Sequence, residues 1–289
     1  MCHNGIMNQT QALKILKSGA NVFLTGEPGS GKTFVINKYV EYLQSHGIKP
    51  AVTASTGIAA THIGGMTIHS WSGIGIKNSL NQGELRFIAT NDYVKKRVGL
   101  ANVLIIDEIS MLPPFALEMI NSICQEVKDS SQPFGGMQVV LVGDFFQLPP
   151  VTKRVVNEFS QENIFNEDGK VPRFAYDSPI WQETEFLTCY ITEQYRQDDT
   201  DLVSVLSKIR TNNFDGVALS HIQKRKIDPL NLPEFAPKLY SHNIDVDRVN
   251  DLMLAKIPGE NKLFTMVSMG HDALVNVMKK GCLSPENLY

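Results

Sequence analysis

Two patterns of apolar residues alternate along the chain. Short, mostly apolar runs occur at 21–25, 51–54, 103–106, 138–142 and 186–191, and each predicts a buried strand. Between them lie stretches whose apolar residues return every three or four positions, the spacing of one helix face. From Lys32 onward Val35, Ile36, Tyr39, Val40 and Leu43 share such a face, and in 114–127 Ala116, Met119, Ile120, Ile123 and Val127 do so. Residues 8–18 read as a helix that Asn8 caps, with Gln11 three residues on and Gly19 to end it. Further helices are predicted at 199–210 and 244–256, and one more strand at 238–241. Strands alternating with helices predict an α/β fold built on a parallel sheet. Residues 152–180 show no period and read as an insertion or linker. No internal repeat is visible.

Polar residues gather where the predicted strands end, the place where open α/β sheets bind ligands. Gly26-Glu27-Pro28-Gly29-Ser30-Gly31-Lys32-Thr33 follows the first strand and opens a helix. It fits GxxxxGK[ST] in the strand–helix context that motif requires, which a chance glycine turn would lack. Glycines let backbone N–H groups turn toward phosphate oxygens, and the helix N-terminus adds partial positive charge. Lys32 has the reach for β- and γ-phosphates, and the Thr33 hydroxyl suits Mg²⁺. The strand 103–106 runs into Asp107-Glu108. In company with a P-loop, Asp107 reads as a Mg²⁺ ligand and Glu108 as the base that orients and deprotonates water.

Other positions carry two readings each. Gln147, in the loop after 138–142, suits a γ-phosphate sensor or an ordinary surface amide. Arg196 has the planar fork of a phosphoryl-binding residue, or of a structural ion pair. Gln11 can bond both edges of an adenine or serve the cap of its own helix. Ser55, Thr56, Thr67, His69 and Trp71 follow the second strand; hydroxyls there can hold a strand's phosphates and rings can stack on bases. Core packing is the competing reading for Trp71 and His69.

Composition narrows the classes. With 289 residues the chain has room for about two domains. No run of ~18 apolar residues occurs, so no spanning helix is expected, and Met1–Met7 does not resemble a secretory signal. The four cysteines (Cys2, Cys124, Cys189, Cys282) form no CxxC pair. They read as filler in an intracellular protein, with neither zinc nor disulfides expected. A net charge of −3 argues against a surface that coats phosphates generally, so any nucleic-acid site must be a local groove.

Several denser strings carry a resemblance. Ala54-Ser55-Thr56-Gly57-Ile58-Ala59-Ala60, Ile63-Gly64-Gly65-Met66-Thr67-Ile68-His69-Ser70-Trp71 and Asp107-Glu108-Ile109-Ser110-Met111 resemble motifs of the PIF (petite integration frequency) family of DNA helicases, superfamily-one relatives of RecD. So does Pro133-Phe134-Gly135-Gly136-Met137-Gln138, running on through Gly143-Asp144-Phe145-Phe146-Gln147-Leu148-Pro149-Pro150-Val151, a signature that other P-loop ATPases lack. Thr192-Glu193-Gln194-Tyr195-Arg196-Gln197 is similar to the family's fourth motif.

The resemblance implies a P-loop NTPase with a RecA-like domain over residues 1–197 and part of a second over 198–289. It implies ATP and Mg²⁺ as cofactors, and single-stranded DNA and duplex junctions as partners. Unwinding would run 5′-to-3′, by a monomeric enzyme acting in repair, recombination, replication or telomere maintenance. Nucleotide would be held by Gln11, Gly26, Pro28, Gly29, Ser30, Gly31, Lys32, Thr33 and Phe34, and Mg²⁺ by Thr33 and Asp107. Lys32, Glu108, Gln147 and Arg196 would carry the chemistry. Ser55, Thr56, Gly57, Thr67, His69, Trp71 and Phe146 would line the DNA. The family's later Lys-Ser-Gln-Gly-type and arginine motifs do not occur before Tyr289, so the second domain is expected to be incomplete. Two other classes stand beside this one: a P-loop phosphotransferase, for which no acceptor lid is visible, and a non-catalytic DNA-binding module.

Overall fold

The computed structural model describes residues 7–150, 173–193 and 200–228, then 231, 233, 236–240, 243–259, 264–265, 267, 269 and 287–288. The chain divides into two units, Met1–Arg210 and Thr211–Tyr289. The helix over 200–210 goes with the first unit, whereas the sequence reading placed a boundary at 197. Val205 on that helix is buried and Arg210 at its end pairs with Asp144.

Among the described residues the first unit is organised by six strands: β1 (Val22–Gly26), β2 (Pro50–Ala54), β3 (Met66–Thr67), β4 (Val103–Asp107), β5 (Gln138–Val142) and β6 (Leu187–Ile191). They form one sheet in the order β3-β2-β4-β5-β1-β6, and every neighbouring pair is parallel. The register sets Val22 beside Val140 and Ala51 beside Leu104. Among the described residues nine helices accompany the sheet: α1 (Gln9–Lys17), α2 (Lys32–Ser45), α3 (Gly57–His62), α4 (Ile68–Ser72), α5 (Gln82–Ala89), α6 (Asp92–Leu100), α7 (Pro114–Lys128), α8 (Pro179–Glu183) and α9 (Thr200–Arg210).

Unbroken apolar runs make sense here because both faces of the sheet are covered. Successive side chains on a strand point to opposite faces. Val22, Leu24, Val103, Ile105, Val140 and Val142 therefore pack with Ala12 and Leu16 of α1 and with Val35, Ile36, Tyr39 and Leu43 of α2. Their neighbours Phe23, Leu104, Ile106, Val139 and Leu141 pack on the other side with α4 to α7. Cys124 and Cys189 are free, buried members of these two cores.

The second unit contains α10 (Gly216–Lys224), α11 (Asn243–Leu254), and the short antiparallel pair β7 (Phe264–Thr265) and β8 (Asn287–Leu288). The strand predicted at 238–241 is not found: residues 238–240 have no regular structure, and 241 lies outside the described residues.

Between 57 and 100 sequence periodicity suggested nothing, yet four helices and a strand lie there. Each helix spans five to nine residues, too few turns for a period to stand out. Their caps were the readable signal: Thr56, Thr67, Asn81 and Asn91 each accept an N–H from the helix they start, and Asn81 with Glu84 completes a capping box.

One expectation is corrected by this region. Trp71 was expected to face a DNA strand, but its side chain is only 3% exposed and belongs to the core beside Ile68, Ile74, Val94 and Val98. On a helix of five residues, Ile68 and Trp71 are three apart and share the face turned to the sheet. Trp71→Ala is therefore expected to cost about 3–5 kcal/mol of stability as a large-to-small core change. Equilibrium urea unfolding measures it. A loss under 1 kcal/mol would mean that the indole is not part of the core.

Candidate nucleotide site

β1 hands the chain directly to the P-loop, and α2 receives it. Gly26 is needed for a close approach: a Cβ there would sit 2.4 Å from the Ile191 carbonyl oxygen of neighbouring β6. Gly31 has φ +82°, a left-handed conformation that glycine adopts without strain, and a Cβ there would lie 2.1 Å from the Gln9 amide nitrogen. α2 then begins at Lys32 with no side-chain cap at Gly31, leaving first-turn N–H groups of a fourteen-residue helix to face the loop. Thr33 and Phe34 on that turn are exposed, as is Pro28.

The residues present fit a triphosphate. The hydroxyl of Ser30 is fully buried and has no hydrogen-bond partner among the described residues, so the cradle contains a donor to spare. Lys32 Nζ lies inside the loop, donating to the Gly26 and Glu27 carbonyls at 2.8 and 3.2 Å. Burial lowers the pKa of this ammonium, while Asp144, Glu108 and Asp107 pull it back up and Arg210 pushes it down. Asp107 ends β4, Glu108 follows it and Asp144 follows β5, so the charges that act on Lys32 come from neighbouring strand ends.

Gln9 is a residue the sequence reading missed. Its side-chain amide donates to the Ser30 carbonyl at 3.0 Å, and its backbone N–H donates to Glu193 Oε2 at 3.1 Å. It ties the start of α1 to both the P-loop and the end of β6. No motif marks such a bond, because it depends only on where α1 docks. Gln11 completes the capping box instead: its amide oxygen accepts the Asn8 N–H at 3.0 Å, and its own N–H donates to Asn8 Oδ1 at 2.8 Å. Gln11 remains exposed beyond that.

The acidic pair closes the end of β4. Asp107 is the last residue of the strand and accepts the Glu108 N–H at 2.9 Å. Glu108 has φ 54° and ψ 44°, a left-handed conformation that is unfavourable for a residue with a Cβ. The turn is held from β2: Ser55 donates its N–H to the Asp107 carbonyl at 3.0 Å and its hydroxyl to the Glu108 carbonyl at 2.7 Å. Burial raises both carboxyls above their ordinary values; for Glu108 the neighbouring Asp107 charge adds to the rise, and Lys32 opposes it in both.

β5 ends in a loop whose successive side chains part company. Asp144 is buried, 1% exposed. It accepts the Phe146 N–H at 3.1 Å, the Gln147 side-chain amide at 3.3 Å and an N–H from Arg210 Nη1 at 2.7 Å. Burial alone would raise the Asp144 carboxyl, but Arg210 and the Phe146 N–H outweigh it and hold the group below its usual value. Phe145 turns into a cluster of rings with Phe23, Phe174, Tyr176 and Trp181 at centroid distances of 4.7–5.8 Å. Phe146 turns out, 70% exposed, with the Arg210 guanidinium 4.3 Å over its ring. Gln147 is exposed apart from its bond to Asp144. Arg210 was not foreseen, and Arg196 lies outside the described residues.

Of the loop after β2, Thr56 and Thr67 cap α3 and α4 through their hydroxyl oxygens, which leaves each hydroxyl proton free to donate. Gly57 is exposed with open space around its Cα. His69 is half-buried, and burial lowers its pKa.

A family model described as PIF1-like helicase matches residues 3–228. The chain belongs to the PIF1-like helicase family. Similar PIF1-like proteins include the ATP-dependent DNA helicase Pif1 of Psychrobacter sp. (strain PRwf-1), 40% identical over 98% of this chain and 42% of that protein. The ATP-dependent DNA helicase PIF1 of Saccharomyces cerevisiae (strain YJM789) is 31% identical over 99% of this chain and 34% of its own length. The chain thus spans well under half of these relatives. The crystal structure of Pif1 helicase from Candida albicans superimposes with a TM-score of 0.76 at 31% identity, covering 97% of this chain and 61% of that one. Bacteroides Pif1 bound to ssDNA gives 0.71 at 29% identity, over 91% of this chain and 58% of the other.

The raised carboxyl of Glu108 has a measurable consequence. A carboxyl whose folded value exceeds its unfolded value of about 4.5 costs nothing at low pH and costs most above the folded value. Glu108→Gln is therefore expected to melt above the wild-type chain at pH 8, with the gap closing as pH falls through the carboxylate range. Thermal melts across pH 4–8 check it. A gap that stays constant over that range, or that widens toward low pH, contradicts a buried, destabilised carboxylate.

Proposed function

We propose that this chain carries the nucleotide-hydrolysing core of an ATP-dependent DNA helicase that moves on single-stranded DNA, 5′-to-3′ as the family resemblance implies, and opens duplex junctions. The observation that carries the reading is a P-loop joining β1 to α2 in a PIF1-like chain, with a buried Ser30 hydroxyl that has no partner among the described residues and a Lys32 ammonium that feels the charges of Asp144, Glu108 and Asp107. Relatives named as ATP-dependent DNA helicases support it, as does a Bacteroides Pif1 structure in complex with ADP-AlF4.

In this reading the P-loop N–H groups, the Ser30 hydroxyl and Lys32 bind phosphate oxygens, with Pro28 and Phe34 bordering the nucleotide and Gln11 near its base. Thr33 and Asp107 would hold Mg²⁺, which when bound neutralises phosphate charge. Lys32 gives up its two carbonyl partners for phosphate, a better match for a half-buried cation. Glu108 orients the attacking water and takes its proton, and a carboxyl whose pKa burial has raised is a better base for that step. Gln147 senses the phosphoryl group, and Arg196 supplies charge to it. Ser55, Thr56, Gly57, Thr67 and His69 border the strand. With its pKa lowered, His69 contacts DNA as a neutral hydrogen-bonding ring rather than as a cation. Phe146 offers the exposed aromatic face on which a base stacks. Residues 198–289 would form part of a second RecA-like domain.

Two substitutions in the helicase separate the steps. Lys32→Ala is expected to remove most ATP turnover with the fold intact, since the side chain sits at a loop–helix junction and leaves no core cavity. Glu108→Gln is expected to keep nucleotide binding and lower turnover by about 10²–10⁴-fold, the usual worth of a positioned base. DNA-stimulated phosphate release, nucleotide titration and melting on the same preparations test this. Near-wild-type turnover in Lys32→Ala would end the ATPase reading.

A further inference from the structure

We propose that Arg210 is a positioning residue that couples the nucleotide cleft to the DNA-facing ring of Phe146. The inference rests on the reading of the cleft given above and adds a residue and a route to it.

The Arg210 side chain does two jobs at once. One guanidinium nitrogen of Arg210 donates to Asp144 Oδ2 at 2.7 Å, while the guanidinium carbon lies over the Phe146 ring, 4.3 Å from its centroid, and 5.6 Å from the centroid of the Tyr190 ring. The pair is shielded, with side-chain exposures of 11% for Arg210 and 1% for Asp144. Screening is weak at such a site, so losing one partner would leave a buried charge uncompensated.

Asp144 is the branching point. Its Oδ1 holds the backbone N–H of Phe146, and its Oδ2 is shared by Arg210 and the Gln147 amide. If Gln147 turns its amide toward a phosphoryl group, Oδ2 loses one of two donors and Arg210 becomes the donor that keeps the carboxylate satisfied. The same carboxylate fixes the backbone from which the Phe146 ring projects, and the same guanidinium covers that ring. A change at Gln147 thereby reaches Phe146 within two residues of chain and one shared ion pair. Lysine could supply the charge, but it has no planar face to lay on a ring while bonding a carboxylate.

Coupling is measured as a ratio, which a purely structural ion pair would not move. The test uses this chain and a labelled oligothymidylate, with the dissociation constant taken by anisotropy with and without saturating Mg²⁺ and a non-hydrolysable ATP analogue. Binding of a fluorescent nucleotide is measured separately. The wild-type ratio is expected to differ from one by about fivefold or more, the lower end of common allosteric couplings. In Arg210→Lys and Arg210→Ala the ratio should collapse to within about twofold of one. In a Phe146→Ala background, Arg210→Lys should change the ratio no further. If the arginine variants melt too low to assay, Phe146→Leu removes the ring without touching the ion pair and should also abolish the ratio. A wild-type ratio of one overturns the proposal, as does a wild-type ratio retained in Arg210→Lys or in Phe146→Leu. A wild-type chain that binds no fluorescent nucleotide would instead sink the ATPase reading, and this inference with it.

Discussion

A parallel sheet with helices on both faces leaves its polar backbone open mainly at the strand ends, and that constraint governs the first unit. β1 runs between β5 and β6, so the loop leaving it emerges at the carboxyl edge one strand in from β6, with the end of β5 beside it. Asp107 and Asp144 leave β4 and β5 on the same edge. The approach at Gly26 is tight enough that only a residue without Cβ can follow β1 past Ile191. Packing of the sheet therefore decides where the P-loop lies before any charged residue contributes.

What the edge then gathers is unfavourable to stability. A half-buried ammonium, two carboxyls with raised pKa values and a left-handed glutamate all lie within a few residues of strand ends. Strain and desolvated charge of this kind persist only where surrounding structure over-determines them. Here the restraints are specific: Ser55 bonds the carbonyls of both Asp107 and Glu108, and Gln9 bonds the P-loop at Ser30. The large apolar cores on either face supply the stability that these groups spend.

Sequence periodicity made the long elements legible because burial on both faces enforces it. The strands at 103–106 and 138–142, the face of α2 and the face of α7 all lie where the pattern put them, within a residue or two. The P-loop and acidic pair were legible because glycine spacing and a strand end are chemical requirements. What escaped depends on tertiary position. The helices between 57 and 100 are too short for a period. Trp71 carries a ring suited equally to stacking and to packing, and only the placement of α4 against the sheet decides for packing. Gln9 and Arg210 act through partners 21 and 66 residues away, at separations that no motif records.

The loop 143–150 is held differently from the other site elements. Phe145 is fixed in a cluster with Phe23, Trp181, Phe174 and Tyr176, and Asp144 is fixed by Arg210. Interlocked rings resist small deformations, because close-packed interiors have few voids into which a side chain can relax. Phe145 and Asp144 are adjacent, so a displacement of either must carry the other. In the coupling proposed above, a loop gripped in this way would respond to a change at Gln147 by moving as a body, and bistable responses of that kind are how small shifts at a ligand are amplified. Phe146, with 70% of its surface exposed, lies between the two gripped residues and Gln147. It is the part of the loop with room to report the motion outward.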